Sequence, residues 1–126
     1  MEKKRQVFFN GKFVPESEAK ISIYDSALMF GDMVFEMTRS FNKKQFKLRE
    51  HLERLYASIK YLRIPITMTI DEMEKNVYKT IEKNDPFFEK DDEHRIMIDV
   101  SRGLLGFYQE VIDLNKGPNI IIADFP

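Results

Sequence analysis

The chain has 126 residues and a mass of 15.0 kDa, with 43% hydrophobic and 33% charged residues, a make-up that fits one soluble folded domain with a modest core and excludes intrinsic disorder. Twenty basic against 21 acidic side chains leave a formal charge of −1, so bulk electrostatics favour neither a nucleic-acid footprint nor a polybasic membrane anchor. The absence of cysteine removes disulfides, thiolate metal sites and cysteine nucleophiles from consideration and fits a reducing cytoplasm, the expected location.

The start, MEKKRQVFFNGKF, runs into Asn-Gly and Lys rather than into an apolar core, so it does not read as a secretory signal. No stretch reaches the ~18 apolar residues that span a bilayer. Gln6 to Phe9 and Lys12 to Val14 flank Asn10-Gly11, a hairpin signal because both turn positions tolerate positive φ. A loop from Pro15 to Lys20 leads to a short expected strand at Ile21 to Ile23. YDSALMFGD then reads as a connection with a turn or short helix. Met33 to Phe41 is a strand that turns at Asn42 to Lys44 and returns through Gln45 to Lys47.

Along Met33 to Phe41 one row holds Met33, Phe35, Met37, Arg39 and Phe41, and the other Val34, Glu36, Thr38 and Ser40. Arg39 is the exception in an apolar row. It must snorkel, pair with Glu36 or Asp32, or face an anionic ligand, and periodicity leaves all three open.

Leu48 to Ile64 reads as a helix whose core stripe is Leu48, Leu52, Leu55, Tyr56, Ile59 and Leu62. Charges gather on Arg49, Glu53 and Lys60. A further row, Arg54, Ala57, Ser58 and Tyr61, sets two small residues between an arginine and a tyrosine, so the helix has a second dry face. Arg54 is either a surface arginine paired with Glu50 at i, i+4 or a group turned toward an anion, for which its planar fork is suited.

Pro65 closes that region. Thr69 and Glu72 form a capping box for a second helix, about Ile70 to Lys83, with Ile70, Met73, Val77 and Ile81 inward. Asn84 to Asp92 is a loop, and its acidic EKDDEH stretch reads as solvated; His51 and His94 alone make no zinc site. Arg95 to Ser101 alternates as a half-buried strand, and Asn119 to Phe125 is a last strand. Strands and helices are segregated, which predicts an α+β fold, a mostly antiparallel sheet carrying two main helices. A complete domain can end at Pro126, and so can a piece cut at a domain junction.

The motifs NGKFVP, FGDMVFE and EHLERLYAS, in this order and spacing between Val7 and Pro65, resemble the N-terminal part of the class IV, or fold-type IV, pyridoxal-phosphate enzymes: branched-chain aminotransferases, D-amino-acid aminotransferases and aminodeoxychorismate lyases. The likeness continues loosely through Ser101-Arg102-Gly103 and the final strand. It implies that Arg54 binds the cofactor phosphate and that Phe35, Met37 and Arg39, with Phe30 ahead of Gly31-Asp32, line the substrate pocket. Branched-chain enzymes tend to carry glycine at the position of Met37, which would narrow the pocket. The arginine with which D-amino-acid enzymes hold the substrate carboxylate is not found in RGLLGFYQ.

The family's Schiff-base lysine lies in a second domain, and no lysine here has an apolar surround that would keep its amine neutral. The resemblance therefore implies that residues 1–126 form the N-terminal domain, the catalytic domain lying outside this chain. No catalytic residue and no metal are expected in it, and cofactor binding by the domain alone is expected to be weak or nil. The intact parent would transaminate branched-chain or related amino acids and 2-oxo acids, as a homodimer or higher oligomer. The alternatives are a parent that is a lyase and a noncatalytic binding or dimerisation module that reuses the fold.

Overall fold

The computed structural model describes residues 4–111 and 116–126. Asn10 and Gly11 both take positive φ, 51° and 89°, and close the hairpin of β1 (Gln6–Phe9) with β2 (Lys12–Pro15). The short strand expected at Ile21 to Ile23 does not form. Ser22 instead accepts from the Tyr24 amide through its hydroxyl and from the Asp25 amide through its carbonyl, and such a local turn competes with any ladder. Asp25 then caps α1 (Ser26–Phe30) by accepting from the Ala27 amide, and Gly31 ends it in a left-handed conformation.

β3 (Met33–Phe41) turns into the two-residue β4 (Lys44–Gln45) and enters α2 (Leu48–Leu62). The helix stops two residues before the expected end because Arg63 goes left-handed, φ 56°, ahead of Pro65. Thr69 caps α3 (Ile70–Asn84) as its side chain accepts from the Glu72 amide at 3.1 Å. After a 3₁₀ turn at Asp85–Phe87 come β5 (Arg95–Ser101), α4 (Gly106–Val111) and β6 (Asn119–Phe125).

The six strands form one sheet in the order β2-β1-β6-β5-β3-β4, with every pairing antiparallel. This is the α+β architecture the sequence predicts. The two long helices lie on one face. Leu48, Leu52, Leu55 and Ile59 of α2 and Met73 and Val77 of α3 close over Phe8, Ile96, Ile98, Val100 and Ile122. Tyr56, whose hydroxyl donates toward the carbonyls of Met68 and Thr69, ties the start of α3 to α2, and burial pushes its phenol up to about 12.

The other face is incompletely covered. The register aligns Phe35, Asp99 and Ile121 in one row across β3, β5 and β6, then Met37, Met97 and Ala123, then Arg39, Arg95 and Phe125. Phe35 is 61% exposed and Met37 46%. A hollow of about 470 Å³ opens on this side between Val7, Ala19, Met97, Asp99, Ile121 and Ala123, and burial raises the Asp99 carboxyl.

Candidate functional site

The inward row of β3 carries polar groups: Glu36, Thr38 and Ser40 are all buried. Each has a partner, as buried polar groups must. Thr38 donates to Gln45 at 2.7 Å, and Ser40 donates to Glu93 at 2.6 Å while accepting from the His94 amide. Glu36 meets α2. Its Oε2 accepts from Arg54 Nε at 2.8 Å and its Oε1 from Arg54 Nη2 at 2.7 Å, a two-bond clasp, and His51 Nδ1 lies 2.7 Å from the same Oε1. The Arg54 guanidinium holds the Glu36 carboxyl below its ordinary value, against the opposing effect of burial, and Glu36 in turn raises Arg54.

Arg54 therefore does not make the i, i+4 pair with Glu50. Nor does Arg39 pair with either acid weighed for it. Glu36 belongs to Arg54, and Asp32 accepts from Arg102 Nε at 2.6 Å. Arg39 bends back on its own strand, donating to the Ser40 carbonyl at 3.0 Å with its guanidinium 4.1 Å over the Phe41 ring.

The Arg54 side chain is 69% exposed while the Glu36 side chain is 8% exposed. One end of the arginine is thus anchored and the other free, and the free end overlooks two hollows. One, of about 220 Å³, is bounded by Lys47, Glu50, His51 and Arg54. The other, of about 470 Å³, is lined by Val34, Arg54, Ala57, Ser58, Tyr61 and Leu62. The second dry row of the helix is the wall of this hollow, its two small residues leaving the space.

Phe35, Met37 and Arg39 lie on the opposite face of β3 from Glu36, and Phe30 projects from α1 at 68% exposure. The described residues do not gather them with Arg54 into one cavity. What joins the two sides is an edge. β4 pairs only with Ser40 and Phe41, so the outer edge of β3 from Met33 to Arg39 has no strand beside it among the described residues.

The segment 33–124 matches the family model for amino-transferase class IV. The chain belongs to the amino-transferase class IV family. A putative branched-chain-amino-acid aminotransferase of Methanocaldococcus jannaschii is 44% identical over 79 residues, 63% of this chain and 27% of that protein. A D-alanine aminotransferase of Staphylococcus epidermidis is 35% identical over 79 residues, 63% of this chain and 28% of that one. Among solved structures, the branched-chain amino acid aminotransferase from Escherichia coli superposes with a TM-score of 0.79 at 30% identity, covering 98% of this chain and 41% of that one. Another branched-chain amino acid aminotransferase, solved with pyridoxamine 5′-phosphate, gives 0.77 at 29% identity, covering 99% and 41%. The chain thus spans less than half the length of each of these four proteins.

Class IV aminotransferases are pyridoxal-phosphate enzymes, and the donor set here fits the phosphate end of that cofactor: a guanidinium with free N–H groups at the rim of a concave wall. Every described lysine is exposed. Sequence reasoning missed Glu36 and His51 as the support of Arg54. The one signal available was the spacing of His51 and Arg54, three apart on one helix, with a carboxylate in the preceding strand.

Proposed function

We propose that this chain is the N-terminal domain of a pyridoxal-phosphate-dependent class IV aminotransferase, in which Arg54 binds the cofactor phosphate and Phe30, Phe35, Met37 and Arg39 form part of the substrate wall. The observation that carries the reading is the anchored, outward-facing guanidinium of Arg54 beside the small residues Ala57 and Ser58. When bound, the cofactor supplies the electron sink for moving an amino group between an amino acid and a 2-oxo acid. This chain's part is to fix the phosphate and to shape the pocket. The reactive lysine is assigned to a second domain outside these residues.

Branched-chain or related L-amino acids are the proposed donors. The relative with 44% identity bears that name, and residues 104–107, Leu-Leu-Gly-Phe, offer no arginine to hold a substrate carboxylate. Met37 would trim the pocket toward smaller or straighter side chains. The exposed apolar face at Phe35 and Met37 supports burial against the second domain and, through it, a dimer. Among the described residues no helix is long and apolar enough to cross a membrane.

The test is transamination of leucine, isoleucine or valine with 2-oxoglutarate by the purified 126-residue chain, with added pyridoxal phosphate. No turnover is expected. Measurable turnover by this chain alone would overturn the division of labour between two domains.

A further inference from the structure

A guanidinium has five N–H donors. In Arg54, the Nε–H and one Nη2–H go to Glu36, which occupies the side-on edge of the fork. The remaining three, one on Nη2 and two on Nη1, meet no acceptor among the described residues. Two of them, one from each terminal nitrogen, run parallel along the end-on edge, the arrangement that grips two phosphate oxygens.

Glu36 acts on His51 as well. Held low by Arg54, its carboxyl is ionised at neutral pH and can only accept. The contact at 2.7 Å therefore requires that His51 carry a proton on Nδ1, which leaves Nε2 turned away from the carboxylate. One buried carboxylate fixes the orientation of two side chains on successive turns of α2.

We infer that Glu36 is a positioning residue for anion capture: by filling the side-on edge of Arg54 and fixing the His51 proton on Nδ1, it presents the end-on edge of Arg54 to a phosphate monoester. This rests on the reading of Arg54 as the phosphate ligand. The physical reason for such a device is entropy. A free arginine on a helix surface loses its rotamer freedom when it grips a ligand, and a clasp formed before the ligand arrives removes that cost from binding.

Charge and positioning predict opposite outcomes for Glu36→Gln. Removing a negative charge beside Arg54 raises the local positive potential, so charge alone makes an anion bind tighter. Loss of the clasp makes it bind more weakly. The probe is pyridoxine 5′-phosphate, which has no aldehyde to react with surface lysines, with pyridoxine as the control lacking phosphate. Both are titrated to millimolar concentration into the full 126-residue chain and followed by ¹H–¹⁵N NMR of the Arg54 Nε–H and the Ala57 and Ser58 amides.

The expected result is an ester-specific response in the parent chain that weakens ~10-fold in Glu36→Gln, the size typical of losing a group that orients a ligand. Arg54→Lys, at an exposed position, keeps the charge but has no second edge, and it is expected to lose the response too. Equal or tighter ester binding by a folded Glu36→Gln overturns the inference and leaves Arg54 as the phosphate ligand if Arg54→Ala abolishes binding. Should Glu36→Gln fail to fold, a full ester response in Arg54→Lys overturns it. A parent chain that responds to ester and alcohol alike removes the phosphate reading itself, and this inference with it.

Discussion

The pH dependence of stability should be governed in part by a carboxylate on the last strand. Asp124 on β6 is fully buried, its Oδ2 is 2.7 Å from His94 Nδ1, and its Oδ1 has no hydrogen-bond partner among the described residues. His94 Nε2 lies 3.0 Å from Asp85, and Arg5 reaches toward the Asp124 carbonyl. Burial, opposed by His94 and Arg5 and reinforced by Asp85, lifts the Asp124 carboxyl from 3.8 to about 6.

Because the folded value is the higher one, the native state binds more protons than the unfolded chain between these limits. Stability from this group is therefore greatest in acid and falls as pH rises through about 6. The rise is worth about 3 kcal/mol at 1.36 kcal/mol per pH unit. Asp124→Asn keeps the shape and removes the titration. It places an amide where Oδ1 stood, at a cost that does not vary with pH, so the informative quantity is the difference between the two proteins across pH.

Urea unfolding of both at pH 4 to 7, extrapolated linearly to water, should show the variant gaining about 2.4 kcal/mol on the parent over that range, most of the full effect. A flat difference refutes the argument. A difference of opposite sign would mean that the ion pair with His94 outweighs burial.

Three further outcomes are expected. Leu52→Ala, at a position with no exposure between α2 and the sheet, should cost about 2 to 5 kcal/mol in urea unfolding; less than 1 kcal/mol would mean that the helix is not packed as described. Gly103→Ala should be strongly destabilised, because φ is 90° and an added Cβ would lie 2.2 Å from the Gly117 carbonyl oxygen; the left-handed backbone alone costs about 1 to 2 kcal/mol, and a variant that melts within 2 °C of the parent would contradict it. Glu93, held at about 2 first by the Ser40 hydroxyl and then by the Lys43 and Asn42 amides, should add stability that is present above 4.5 and is lost as pH falls toward about 2. Its NMR titration should show that low midpoint and move upward in Ser40→Ala, and an ordinary midpoint in the parent would refute the contact.

Local chemistry made much of the fold legible. Asn10-Gly11 closes its hairpin because both residues adopt positive φ at little steric cost, and Thr69 starts α3 because its hydroxyl meets the Glu72 amide three residues on. Of the expected stripe, Leu48, Leu52, Leu55 and Ile59 are buried as their period requires, Tyr56 is half-buried, and Leu62 is exposed, turned to the outer hollow. The strand expected at Ile21 to Ile23 failed for an equally local reason, since three residues hold too little alternation to outweigh a Ser22 turn.

The candidate site was more legible on the helix than on the strand. The alternation separates Phe35, Met37 and Phe41 from Glu36, Thr38 and Ser40 but does not say which row faces the core. The structure turns the polar row inward because each member finds its partner, at separations from 7 to 54 residues, and the most distant of these pairs fall in no local window. Once those partners are made, a one-residue register slip would strand Glu36, Arg54 and His51 together and is resisted by all three. The apolar row is then forced outward, along the same strand whose free edge runs below Arg54. One set of long-range polar contacts thus accounts for both the exposed wall at Phe35 and Met37 and the orientation of the guanidinium. A variant that releases Glu36 should disturb both.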